Sequence, residues 1–356
     1  MTSGRAIGVL TFHRCINNGS YWQARCLLDV LRSRGHDAEL LAHTSRRVNH
    51  AEWRCALRPT LPTVAPASDR PRYRAKVREF ARLIDDLPQS APFDLDDPGP
   101  LAAYDAVVVG SDEVWNLNHP WYGGAPLFYG DGLHPRRLVS YAASFGNYDA
   151  AAGLDERWAD RLRRFDAISV RDDNSRDLVV DAIGIEPELV VDPCLLAPPA
   201  LEGCWTGPDE PFLAVYGHNF SPWFVAEVQR IARRRGLTIV SVSYRNDWAD
   251  VQWLEAGPHE FAHAVARAAA MATNFFHGCV FALLHHTPFV CEASPYRRNK
   301  VQWLMSAIGG EHHLLTEASP AERYSDLLVE PVDPALDRAL AAHRASSLAY
   351  LDAAVA

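Results

Sequence analysis

AIGVLTFHRCINNGSYWQARCLLDVLRSRGHDAEL, residues 6–40, is the stretch that decides the fold class. Residues 6–12 form an apolar run of strand length. From residue 20 to residue 34 the spacing of Trp22, Cys26, Leu27, Val30 and Leu31 predicts a helix with one buried face. Gly35 is the stop signal of that helix, and residues 37–41 read as the next strand. Strand, loop, helix and strand in that order build a parallel sheet, because a parallel neighbour is reached only through a crossover.

The alternation continues along the chain. Residues 42–71, with Pro59, Pro62, Pro66 and Pro71, read as an irregular excursion, followed by a charged helix over 73–87. Strand-like runs follow at 105–109, 138–142 and 167–170. They are separated by a loop rich in Gly, Pro and aromatics (115–132) and by a helical pattern at 156–165. A helix over 174–182 and extended chain at 189–191 complete this half, and residues 197–211, bearing Pro and Gly, break the pattern. It restarts with strands at 212–216, 237–243, 271–274 and 289–291, and helices at 222–235, 258–269 and 277–285. The expectation is an α/β protein of two domains, residues 1–200 and 201–333, each a mostly parallel doubly wound sheet. Residues 334–356 have helical spacing and are expected to pack back on the first domain.

Composition narrows the function classes. With 44 acidic against 35 basic residues, the formal net charge is −9, so neither a nucleic-acid footprint nor a polybasic membrane patch is expected. Only Lys76 and Lys300 are lysines, and the bias towards Arg and Ala suggests a GC-rich bacterial genome. The seven cysteines form no C-x-x-C pair, and the fifteen histidines show no ligand spacing, so neither a disulfide framework nor a metal site is indicated. The apolar stretch 268–290 is interrupted by Asn274, His277, Gly278, His285, His286 and Pro288, too polar for a bilayer span. Without a signal-peptide pattern the expected location is the cytoplasm. A small-molecule or carbohydrate substrate is the expected partner, and a homodimer is compatible with the sequence.

In doubly wound sheets ligands collect at the carboxyl ends of strands, so the informative residues follow the apolar runs. The first such place holds Asn17, Asn18, Gly19 and Ser20, where a helix start offers its amides to an anion or to sugar hydroxyls; an ordinary polar loop is the alternative. The second holds Ser111, Asp112, Glu113, Trp115 and Asn116, with Ser144 downstream. Carboxylates, amide, hydroxyl and indole together can hold a carbohydrate acceptor, with Asp112 or Glu113 as base. The third is Arg171, which can grip a carboxylate or phosphate, or pair with Asp172 or Asp173 on the surface. The fourth places His277 and Gly278 at a helix start, where phosphate also prefers to lie; a structural histidine is the alternative.

Taken in order, these stretches resemble the polysaccharide pyruvyl transferase family. The resemblance rests on IGVLTFHRCINNGSYWQA (7–24), VVGSDEVWN (108–116), SYAASFG (140–146), ISVRDDNSRDLV (168–179), VVDPCLL (190–196), TNFFHGCVFALLHHTPFV (273–290) and RRNKVQWLMSAIG (297–309). It implies two Rossmann-like domains in a GT-B-like fold, with ligands held in the crevice between the halves. It also implies transfer of the pyruvyl group of phosphoenolpyruvate to a pair of sugar hydroxyls as a ketal, with the donor as substrate and no cofactor. Arg171 and His277 stand at the positions associated with the donor. Better-known polysaccharide-modifying members of the family carry arginine two residues before this histidine, and members opening with a GVLTFHR-like motif often a small residue, where this chain has Phe275. Either Arg297, Arg298 or Lys300 replaces that cation, or the donor is different. A glycosyltransferase using a nucleotide-sugar donor and a non-catalytic ligand-binding relative are the competing readings. The acceptor, whether a cell-wall unit, a lipid-linked precursor or a natural product, is not legible.

Overall fold

A parallel sheet is covered on both faces, which is why its strands are written as unbroken apolar runs. The computed structural model of the chain describes residues 4–61, 63–99, 101–293 and 298–356. It divides into two units. Unit 1 comprises Met1–Glu52, Arg82–Pro199 and Ala341–Ala356, and unit 2 comprises Trp53–Ala81 and Ala200–Leu340.

The strands of unit 1 are β1 (Ala6–Leu10), β2 (Asp37–Leu40), β3 (His43–Thr44), β4 (Phe93–Asp94), β5 (Ala106–Val109), β6 (Arg137–Ser140), β7 (Ser169–Val170) and β8 (Glu188–Leu189). The helices along this stretch of chain are α1 (Asn18–Ser33), α2 (Arg46–Leu57), α3 (Arg70–Asp85), α4 (Glu156–Leu162), α5 (Asp173–Ile183) and α6 (Pro193–Leu196). Four strands pair in parallel in the order β2-β1-β5-β6, with Val9 facing Leu40 on one side and Val108 on the other. Bridges from Val139 to Ala167 and from Ala143 to Val170 set the parallel β7–β8 pair beside β6. Phe12, Val107, Val109, Trp115, Phe128, Tyr129 and Phe145 belong to the buried cluster of this unit.

Unit 2 holds β9 (Phe212–Tyr216), β10 (Thr238–Val242), β11 (Val251–Trp253), β12 (Ala270–Thr273), β13 (Phe289–Glu292) and β14 (Leu314–Leu315). Its helices are α7 (Pro222–Arg235), α8 (Pro258–Arg267), α9 (Phe276–Leu284), α10 (Arg298–Ile308) and α11 (Ala321–Val329). The six strands are parallel, in the order β11-β10-β9-β12-β13-β14. Leu213, Val215, Phe224, Ile231, Ala272 and Val290 pack in its core. At roughly 1.5–3 kcal/mol for each fully buried large aliphatic or aromatic side chain, two such clusters supply the main favourable term for folding.

The last helix, α12 (Pro334–Ala354), enters unit 1 at Ala341. There Ser347 Oγ accepts from Val191 N at 3.0 Å, and the Tyr350 hydroxyl donates to Ser140 O at 2.9 Å. Among the described residues no helix is long and apolar enough to cross a membrane.

Two expectations are corrected. Residues 46–57 form helix α2 rather than irregular chain; only Val48 and Glu52 are buried on it. Residues 53–81 belong to unit 2 and not to the domain in which they lie in sequence. Polar anchors hold them there: Arg72 Nε to Glu255 Oε2 at 2.6 Å, Arg245 Nη1 to Asp69 Oδ2 at 2.5 Å, and Lys76 Nζ to Ser243 O at 3.0 Å.

Candidate functional site

In unit 1 the sheet order reverses between β1 and β5, and the carboxyl ends of strands at such a reversal are where doubly wound sheets bind ligands. Gly110 begins the second loop with φ 112, and a Cβ there would lie 2.3 Å from Tyr141 O, so only glycine fits. The turn brings Asp112 back over the sheet. Its Oδ1 accepts from Arg171 Nη2 at 2.9 Å and from the Glu113 amide at 2.9 Å, and its Oδ2 accepts from Ser20 Oγ at 2.8 Å. Thr11 Oγ1 donates to Ser111 O at 2.8 Å and accepts from Gln23 Nε2 at 2.9 Å, tying the two loops together.

Arg171 is the pivot of this arrangement, and its position corrects the expectation that it grips a donor. Its side chain is 1% exposed, and a second carboxylate, Asp192 Oδ2, takes Nη1 at 3.0 Å. Asp192 is itself fully buried. Burial opposes the guanidinium charge, but the fields of Asp112 and Asp192, followed by those of Glu113 and Asp172, outweigh it and hold its pKa above the ordinary value.

The residues expected to bind an acceptor separate into frame and rim. Trp115 is fully buried, its Nε1 donates to Phe128 O at 2.9 Å, and its ring packs against Tyr129, Phe145 and Phe165, so it is core and not a sugar platform. Asn17 is the N-cap of α1: its Oδ1 accepts from the amides of Gly19 and Ser20 at 2.8 and 3.2 Å, which occupies the amides expected to meet an anion. Asn18 is buried in the first turn of that helix. Buried Asn116 donates to Glu113 Oε2 at 2.7 Å and to Asn147 Oδ1 at 2.9 Å. Ser111 lies buried against Ala142 O, and Ser144 Oγ donates to Asp172 Oδ2 at 2.6 Å. Asp112 and Glu113 keep partial exposure and are the carboxylates of this loop within reach of a ligand.

Two buried histidines, His13 at the start of the first loop and His43 on β3, lie outside the expected site residues. His13 Nδ1 and His43 Nε2 both lie against Thr11 O, at 3.2 and 2.8 Å, with their rings edge to face at 4.7 Å. Burial pulls His43 down to about 4, and burial together with the neighbouring His43 lowers His13 well below the ordinary range. Because His43 is depressed in the folded state, the unfolded chain binds more protons between pH 6.5 and 4, so stability is complete above 6.5 and is lost as pH falls. The loss from His43 is about 3 kcal/mol. Urea unfolding of wild type and His43→Gln across that window is expected to show a shallower pH slope in the variant; equal slopes would remove His43 as the cause. Nearby, burial first and then Glu52 and Asp112 raise the Cys15 thiol, which stays protonated and is no nucleophile.

In unit 2 the order reverses between β9 and β12. Thr273 Oγ1 donates to Tyr216 O at 2.6 Å and accepts from the Phe275 amide at 3.0 Å, while Asn274 Nδ2 donates to His218 O at 2.8 Å. His277 stands in the first turn of α9 and is 9% exposed. Gly278 has a packing reason and no open amide: a Cβ would lie 2.1 Å from Thr273 Oγ1, and its amide donates to Phe275 O at 3.0 Å. This corrects its expected part in donor binding.

Around Phe275 stand aromatic rings, with Tyr244 at 5.0 Å, Tyr216 at 5.1 Å and His218 at 5.3 Å. The Lys76 ammonium lies 4.8 Å over the Tyr244 ring. Of the basic cluster expected to replace the missing arginine, Lys300 sits half-buried in the first turn of α10. Arg297 and the side chain of Arg298 lie outside the described residues. Lys76 was missed because it is distant in sequence; its being one of two lysines was the available signal.

A model of the polysaccharide pyruvyl transferase family matches residues 17–294. Among solved structures, the UDP-GlcNAc 2-epimerase from Neisseria meningitidis bound to UDP-GlcNAc is similar with a TM-score of 0.50 at 8% identity, over 97% of this chain and 99% of that one. Arabidopsis thaliana UGT89C1 complexed with UDP-L-rhamnose gives a TM-score of 0.50 at 10% identity, over 99% of each chain. Identities this low speak to fold alone, and the fold is that of two Rossmann-like units of the GT-B kind. No curated protein matches the sequence.

Proposed function

Because the chain belongs to the polysaccharide pyruvyl transferase family, we propose that it moves the pyruvyl group of phosphoenolpyruvate onto two hydroxyls of a carbohydrate acceptor. The observation that carries the assignment of roles is the contrast in charge between the two units. In unit 1 the partly exposed carboxylates are Asp112 and Glu113, acceptors suited to the hydroxyls of a neutral polyol. Unit 2 offers His277, Lys76 and Lys300 instead. Acceptor hydroxyls are assigned to Asp112 and Glu113, and the donor to unit 2.

The balance of the reaction distributes the protons. Proton addition at the methylene carbon of phosphoenolpyruvate makes a methyl group and leaves an oxocarbenium-like centre at C2. One acceptor oxygen adds there, phosphate departs with the C2–O bond electrons, and the second oxygen closes the ketal. The two hydroxyl protons replace the one delivered to carbon and the one carried off on phosphate. His277 is the proposed acid or phosphate ligand, and Asp112 and Glu113 receive the hydroxyl protons. Arg171 acts through Asp112, holding its Oδ1 with Nη2 while Nη1 holds Asp192, a bridge between two carboxylates that a guanidinium fork can make.

Thermal unfolding with added ligands tests the donor. Phosphoenolpyruvate at about a hundred times its dissociation constant should stabilise the protein by about 2.7 kcal/mol, with UDP and UDP-sugars leaving the transition in place. The reverse pattern would replace this reading with a nucleotide-sugar transferase, the class suggested by the ligands of the two similar structures.

A further inference from the structure

The charge of the chain is unevenly placed. Residues 53–81 hold seven basic residues against Asp69 and Glu79, a net +5 in a protein of net −9, which leaves −14 for the rest. The whole segment lies in unit 2. On α3 the pattern is regular: Arg70, Arg74 and Arg78 recur every fourth residue and are exposed, while Tyr73, Lys76 and Phe80 occupy the buried side. Like charges four apart on a helix repel, so this stripe works against the stability of α3. Of the segment's two acids, Asp69 is engaged by Arg245 at 2.5 Å. Among the described residues no ion pair or hydrogen bond engages the side chains of Arg54, Arg58, Arg70, Arg74 or Arg78.

The same segment exposes large apolar side chains. Trp53 is 55% exposed, Leu61 63% and Val64 76%. Apolar groups in water and guanidinium groups on one segment have a natural common partner, a surface that presents phosphates outside and hydrocarbon beneath. A soluble polyanion would satisfy the arginines and leave the apolar side chains in water. We propose that residues 53–81 dock unit 2 on an anionic phospholipid bilayer. The arginines of α3 pair with headgroup phosphates, while Trp53, Leu61 and Val64 enter the interface. The attachment is peripheral and independent of which acceptor the enzyme uses.

Sedimentation of the full-length protein with mixed phosphatidylcholine–phosphatidylglycerol vesicles tests this. Binding is expected to the mixed vesicles and not to pure phosphatidylcholine, and to weaken as sodium chloride rises. The triple variant Arg70→Gln, Arg74→Gln, Arg78→Gln should bind about a hundredfold more weakly, at roughly fivefold per arginine. Trp53→Ser with Leu61→Ser should weaken binding while leaving its salt dependence. Neither variant should melt below wild type, since every altered side chain is exposed. The proposal is overturned by absent or equal binding to the two kinds of vesicle, or by a triple variant that binds like wild type. Capture by heparin with no vesicle binding would likewise overturn it and reassign the stripe to a soluble polyanion.

Discussion

Arg171→Ala is expected to destabilise unit 1 by about 3–5 kcal/mol, the usual consequence of removing one partner from a buried ion pair. The substitution leaves Asp192, fully buried, and Asp112, largely so, without their shared cation. Urea unfolding followed by circular dichroism reads the loss directly. Arg171→Lys should recover only part of it, because a point charge on a flexible stem cannot serve two carboxylates on different loops. Phosphoenolpyruvate affinity of whatever variant remains folded should be close to wild type. Unchanged stability together with a large loss of donor affinity would return Arg171 to direct donor binding and overturn its role as the clamp on Asp112.

His277→Ala is the second large effect. On the proposal that His277 is the acid, its removal should lower kcat by about 10²- to 10⁴-fold. His277→Gln should be equally impaired, since an amide can hydrogen-bond phosphate but cannot deliver a proton to carbon. Thermal unfolding should change little in either, and single-turnover assays would separate the chemical step from donor binding. If the glutamine variant keeps wild-type turnover, His277 is a phosphate ligand or a structural residue and not the acid. The two experiments are complementary: the first is read in stability with donor binding retained, the second in rate with stability retained.

Much of the fold was written locally. Ala6–Leu10, Ala106–Val109 and Phe212–Tyr216 are apolar throughout because both faces of a parallel sheet are covered, and their order with the intervening amphipathic helices determined two doubly wound halves. Helix α2 escaped because its buried positions are only Val48 and Glu52, one of them charged. The polar loops were located correctly in the chain, yet their composition could not separate a ligand-facing group from one that holds the loop. Trp115 and Ser144 turned out to be interior, and Asn17 to be a cap.

What tertiary structure decided was the pairing of charges. Asp112 and Asp192 meet Arg171 from 59 and 21 residues away, and Lys76 reaches Ser243 across 167. Periodicity reports which side of an element is buried, because that depends on neighbours within a few turns. Which ion neutralises which depends on where separate loops arrive, and only the packed sheet brings them there.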